Sequence, residues 1–270
     1  MGNVNFYFKQ TATYQLYRLI LRQLNDFFET LGNIGIRFTR VLEYIFSLHI
    51  KKKHLIEQAS RFAVDSLPIT LSIVSMTAII VAIQVAPEMV KQGGKDYIGM
   101  LVAMVMVREV GAIMSGFAII SMIGSSIASE IATMKVTEQL DAMKTLKVDP
   151  FQYLFVPRVL AGGIMMPFIV IVSSFVGILA AGLSATAVSP DVSGLSYVNS
   201  VWYGLDLKDI RICLLKSSVF GMAISLISAS CGYDAQGGAK GVGIATTKAV
   251  VWSFVAIVII DMIFALIFYF

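Results

Sequence analysis

Apolar positions gather into five long stretches, each near or above the roughly 20 mostly apolar residues that a helix needs to cross a bilayer core. Residues 66–87 carry no charge, and residues 97–129 are interrupted only by the adjacent pair Arg108 and Glu109. Residues 159–190 are uncharged and contain Pro167, which predicts a kink because proline removes a backbone hydrogen bond. A fourth stretch from about 210 to 233 holds Lys216, and a fifth, 249–270, holds Asp261. Ahead of them, Leu16, Ile20, Leu24, Phe27, Leu31 and Ile34 recur at three- and four-residue steps, with Arg18, Arg22, Asn25 and Glu29 on other faces. That period predicts amphipathic helices. They can lie in the cytoplasmic headgroup layer or pack on the protein's own spans, and the two placements are compatible. The expected organisation is therefore an all-α membrane protein, with an interfacial amphipathic region over 1–65 and a five-span domain over 66–270.

Composition agrees. The 270 residues are 57% hydrophobic and 14% charged, with a mean hydropathy of +0.80. An ordinary soluble domain has about 25% charged residues, so this chain could not coat a water-facing surface of its size, and no stretch reads as a separate soluble enzyme domain. An odd number of spans puts the termini on opposite sides. With the N-terminus in the cytoplasm, fifteen of the 21 Lys and Arg fall inside, among them Lys9, Lys51 and Lys53, and four fall outside: Lys91, Lys95, Lys208 and Arg211. The excess of inside cations predicts a cytoplasmic N-terminus and an exterior C-terminus. The first ten residues, with Phe6, Tyr7 and Phe8, lack the layout of a signal peptide and are expected to be retained.

Familiar chemistry is missing. No P-loop occurs, since Gly94-Lys95 is followed by Asp96. His49 and His54 have no ligand companions at metal spacing, so no metal site is expected. Cys213 and Cys231 would stand roughly 27 Å apart on one helix and are expected to be packing residues. Gly237, Gly238, Gly241 and Gly243 miss dinucleotide-fold spacing and read as a flexible cytoplasmic turn into the last span.

Three features remain. Arg108, Glu109, Lys216 and Asp261 lie inside spans, where each charge costs about 2.5 to 3.5 kcal/mol at the bilayer centre if unpaired. Under the assigned topology all four can meet in the outer half of the membrane, either as a salt-bridge lock or as the lining of a polar cavity. The loop 130–158 carries Glu138 and Asp141 early and Lys144 and Lys147 late, with Met134, Val136, Leu140 and Met143 as apolar knobs. Such a helix can dock in a partner's groove or lie on the membrane, and Asp149-Pro150 reads as the cap of the helix that follows. Small residues crowd span two (Gly111, Ser115, Gly116, Gly124, Ala128) and permit close helix approach, within the subunit or between copies. A longer exterior loop is expected over about 187–211.

The segments Arg108-Glu-Val-Gly111, Gly124-Ser-Ser-Ile-Ala-Ser-Glu-Ile-Ala-Thr-Met-Lys-Val-Thr-Glu-Gln-Leu-Asp-Ala-Met143, Leu215-Lys-Ser-Ser-Val-Phe220 and Gly237-Gly-Ala-Lys-Gly-Val-Gly243 resemble the MlaE/YrbE family, the permease subunits of MCE-associated ABC lipid transporters. The similarity runs from about residue 60 to the end. It implies a homodimer in the bacterial inner membrane, with a lipid cavity between the two copies. It also implies an MCE-domain protein on the exterior face, and a coupling helix at about 133–146 (Met134, Thr137, Glu138, Gln139 and Asp141) docked on a cytosolic ATPase. Phospholipid is the implied cargo. Arg108, Glu109, Lys216 and Asp261 match the family's intramembrane polar network, and Gln84, with Val81 and Met89, would face the cavity. The subunit would carry out no catalysis and need no cofactor, with ATP hydrolysis on the partner; nucleic acid is not among the implied partners. Two departures stand out: Ser121-Met122 replaces a usual Gly-Arg, and Gly111-Ala112 a common Gly-Pro, which predicts a straighter second span. Read without the resemblance, the four charges also suit a secondary transporter or ion-coupled channel, and the chain as a whole a membrane scaffold.

Overall fold

The computed structural model describes residues 12–46 and 52–269. Phe6, Tyr7, Phe8, Lys9, His49, Lys51 and Phe270 lie outside the described residues, as do the side chains of Leu16, Arg18, Ile20, Arg22, Leu24, Asn25 and Phe27. All regular structure described is helical. The α-helices are α1 (Ala12–Phe46), α2 (Lys52–Ser60), α3 (Ser66–Lys91), α4 (Ile98–Val105), α5 (Gly111–Ile119), α6 (Ser125–Val136), α7 (Gln139–Thr145), α8 (Val156–Val188), α9 (Gly194–Gly204), α10 (Leu207–Tyr233) and α11 (Gly238–Tyr269). Four π turns, Arg61–Asp65, Met106–Val110, Ile120–Gly124 and Phe151–Phe155, join several of them into longer rods.

Five of these rods are long and apolar enough to cross a membrane: Lys53–Lys91, Lys95–Val136, Phe151–Val188, Leu207–Tyr233 and Gly238–Tyr269. Each lengthens the expected span at one or both ends, although the third stops at Val188, two residues before its expected end. Charged residues stop a search for apolar runs, yet they continue the same helix beyond the hydrocarbon. The expected division at residue 65 thus falls inside one continuous rod, at the π turn Arg61–Asp65. The expectation for the glycine tract before span five is corrected: apart from Gly237 it is not a flexible turn but the first turns of α11. Gly237 and Gly238 take positive φ values of 89° and 67°, which glycine adopts without penalty, and so redirect the chain into that helix.

Span three packs on spans one and four, while span five packs on spans four and two. The contact with span one rests on a row of small buried residues four apart, Ser66, Thr70, Val74, Ala78, Ala82 and Ala86, which puts every turn of one face against span three. Where spans three and four cross, Gly162 and Gly221 face each other. A Cβ on Gly221 would lie 2.1 Å from the carbonyl oxygen of Gly162, so only glycine fits. In span two, a Cβ on Gly111 would lie 2.2 Å from Ser174 Oγ in span three, and Ser115 Oγ is 3.1 Å from Ser173 Oγ. The small residues of span two therefore serve close packing within the subunit. Span two, expected to run straighter without proline, departs from α geometry at two π turns. Helix α8 continues unbroken through Pro167.

Helix α1 docks on α10 and on the π turn Phe151–Phe155. Val41 is fully buried there, while Phe28, Leu31, Ile36 and Phe38 stay exposed. The expected exterior loop contains a helix of its own, α9, capped by Ser193, whose Oγ accepts from the Ser196 N–H at 3.1 Å. Tyr197 anchors it by donating to the carbonyl of Ile178 at 3.1 Å. Cys213 and Cys231 are both buried and free.

Candidate functional site

The intramembrane charges form two linked groups, built by spans two, four and five. Arg108 and Glu109 sit in the π turn Met106–Val110, where the widened helix leaves backbone carbonyls less well paired. Lys216, with no exposed surface, uses that opening by donating to the carbonyl of Arg108. Its ammonium also donates to Glu109 Oε2 at 3.1 Å and stands 2.8 Å from Asp261 Oδ1, an ion-pair contact outside hydrogen-bond angles. One buried cation thus holds carboxylates from two other spans.

Arg108 does not join that group. Its guanidinium donates to Asp209 Oδ2 at 2.9 Å and lies 5.0 Å from the ring centroid of Tyr269. Asp209, only 2% exposed, is a member of this network that the sequence pattern did not single out. It was taken as part of an exterior loop, but α10 begins at Leu207 and carries it into the bundle. A signal existed, because Asp209 and Lys216 are seven residues apart, two helical turns on one face. The network therefore comprises three carboxylates and two cations, all toward the end of the bundle where the chain reaches Tyr269.

The opposite end carries the predicted docking segment, which is shorter than expected. Met134 belongs to α6, the tail of span two; the chain then turns at Thr137 and Glu138, and α7 covers only Gln139–Thr145. Glu138 (φ 60°) and Lys147 (φ 57°) bracket α7 in the left-handed region, which residues bearing a Cβ rarely occupy. Three of the four apolar knobs turn inward: Leu140 is fully buried, and Met134 and Met143 pack on the core, while Val136 is half-buried. Thr137, Glu138, Gln139 and Asp141 face outward. Asp141 braces the segment, with Lys144 Nζ at 2.9 Å and Lys135 Nζ at 3.6 Å. Nearby, Glu130 Oε2 bridges Arg61 at 3.1 Å and Arg158 at 3.0 Å, tying spans one, two and three together. Arg37 of α1 clamps Asp234 at the end of span four with contacts of 2.9 and 2.5 Å. Asp149 caps the next helix as expected, accepting from the Phe151 N–H at 2.8 Å.

The family model described as Permease MlaE matches residues 55–267. The chain belongs to the MlaE permease family. It is 39% identical over 220 residues to a probable ABC transporter permease protein of Synechocystis sp., covering 82% of this chain and 83% of that one. A probable ABC transporter permease protein of Rickettsia felis is 37% identical over 205 residues, covering 76% and 79%. The chloroplastic protein TRIGALACTOSYLDIACYLGLYCEROL 1 of Arabidopsis thaliana is 34% identical over 217 residues, covering 80% and 62%. As an MlaE permease the chain is an integral membrane protein, and an ABC transporter permease works with an ATPase partner. Of the three residues expected near a lipid cavity, Gln84 is exposed, Val81 is half-buried, and Met89 packs on the core.

Proposed function

We propose that this MlaE permease moves phospholipid between membranes of the cell envelope, as one of two copies in the bacterial inner membrane. The N-terminus lies in the cytoplasm and the C-terminus outside. The observation that carries the reading is the Lys216 group: a desolvated cation holds carboxylates of spans two and five near one end of the bundle, a place for a polar headgroup to pass. The lipid in the name of the chloroplast relative supports a lipid cargo. In this reading Arg108 and Glu109 border the headgroup path, and Gln84, Val81 and Met89 line the outer cavity between the copies. An MCE-domain protein covers the exterior face.

The subunit breaks no bonds. Its outward polar segment at Thr137, Glu138, Gln139 and Asp141 meets the cytosolic ATPase, and the buried face of α7 passes the motion into the bundle through Leu140 and the Arg61–Glu130–Arg158 bridge. The test is purification in mild detergent together with the neighbouring gene products, followed by mass spectrometry of bound lipid and co-purifying subunits. Phospholipid and an ATPase are expected, and Glu138→Arg should abolish the stimulated ATP turnover while the permease stays folded. Recovery of no lipid, or normal ATPase assembly and turnover in Glu138→Arg, would overturn the respective parts.

A further inference from the structure

Around Phe151 and Tyr233, at the α7 end, cations are packed more densely than the ion pairs there require. An open cavity of about 370 Å³ is lined by Arg40, Lys144, Lys147, Asp149, Phe151 and Tyr233, among others. Two of its charged side chains are already engaged. Lys144 is paired with Asp141 at 2.9 Å, and Asp149 accepts from the Tyr44 hydroxyl and the Phe151 N–H. Two are not. The Arg40 guanidinium rests over the Phe151 ring, 4.8 Å from its centroid, and neither it nor the Lys147 ammonium meets an acceptor among the described residues. Lys147 is moreover held in a left-handed backbone conformation, where glycine would sit freely. A cation kept at such a strained position marks it as a candidate for function.

The surroundings say which anion fits. Leu146 (76% exposed) and Val148 (38% exposed) flank Lys147, and Ile36 (64% exposed) lies one turn before Arg40 on the same face of α1. Unpaired cations ringed by exposed aliphatic side chains suit the boundary between headgroups and acyl chains. An acidic protein surface would give those aliphatic groups nothing apolar to meet. We infer that Arg40 and Lys147 bind the phosphate of an anionic phospholipid from the leaflet at the α7 end, a lipid held in place rather than one transported. The site lies far along the bundle from the Lys216 group, so the inference stands whether or not the proposed cargo is right.

The test titrates the full-length protein, with its co-purifying subunits, against phosphatidylglycerol or phosphatidylcholine of matched acyl chains and reads retained lipid by native mass spectrometry. Phosphatidylglycerol should be retained preferentially. Lys147→Gly should weaken its retention about fivefold, and Arg40→Ala with Lys147→Gly about twenty-five-fold, given what each cation near a lipid surface typically contributes. Because glycine relieves the backbone at 147, Lys147→Gly should melt no lower than the wild type, which separates lost binding from lost fold. Wild-type retention in both variants would overturn the inference. So would displacement of the lipid by inorganic phosphate at equal concentration, which would make this a site for the free anion. Loss of the ATPase from the variants with lipid retention unchanged would also overturn it and assign the surface to a protein partner.

Discussion

Lys216 is the residue on which the intramembrane polar network turns. Its ammonium is out of solvent and answers carboxylates from two other spans. Lys216→Met should therefore cost about 3 kcal/mol, because removing one partner of a buried pair leaves the other charges uncompensated. Thermal unfolding in detergent would measure this, and adding Asp261→Asn should recover part of the loss; a Lys216→Met variant as stable as the wild type would mean that the pairing contributes nothing. Arg108 and Asp209 permit a sharper measurement. A double-mutant cycle with Arg108→Ala and Asp209→Asn should give a coupling of about 1 to 2 kcal/mol, whereas additive effects would deny the 2.9 Å contact any energetic role. The four charges named from the sequence were legible because a charge within an apolar run is conspicuous. Asp209 was not, since it stands among Asp206, Lys208 and Arg211 and looks like loop until the helix is seen to begin before it.

Helix α7 shows how a short element is held in place from both ends. Lys144's hydrogen bond first, and then the charges of Lys135 and Lys144, hold the Asp141 carboxyl below its ordinary value of 3.8. Asp141 in turn holds the Lys144 ammonium above its ordinary 10.5. A depressed carboxylate contributes above its unfolded value and loses its contribution as pH falls, and a raised amine does so in reverse as pH climbs. The brace should thus be constant from about pH 5 to 9 and weaken outside that window. Hydrogen exchange of the α7 amides, corrected for intrinsic rates, would show it, and a step near neutral pH would contradict it. Glu138→Gly should stabilise the turn by about 1 kcal/mol, since glycine accepts the left-handed backbone, while lowering stimulated ATP turnover if the glutamate touches the ATPase. Gain of stability without loss of turnover would leave Glu138 no role in coupling. Charge order along this loop foretold a helix. Its length was not foretold, because the break at Thr137 and Glu138 carries no glycine or proline to announce it.

Taken whole, the bundle is unevenly covered. In the apolar windows of the spans, 67% of span four is buried within the chain, against 28% of span one and 11% of span five. Span four is thus central, and spans one and five are left to lipid or to a second copy. If two copies face each other across a cavity bordered by span one, Gln84→Cys should cross-link to its counterpart through a bifunctional maleimide in native membranes. Val258→Cys, exposed on span five, should not. Cross-linking at 258 alone would place the interface on the other side.

The number of spans and the identity of most charges lying within them follow from linear properties: the length of apolar runs and the cost of a charge in hydrocarbon. Those costs act on each segment wherever its neighbours lie, so they can be read one segment at a time. Which charge meets which cannot. Arg108 pairs with Asp209 across 101 positions of sequence, and Lys216 reaches the carbonyl of Arg108 because a π turn presents it there. The inward face of α7 likewise depends on what packs beneath it. Pairing across the bundle depends on helix rotation and depth, which are set by close packing at positions such as Gly162 and Gly221 and leave no local mark in the residues that benefit.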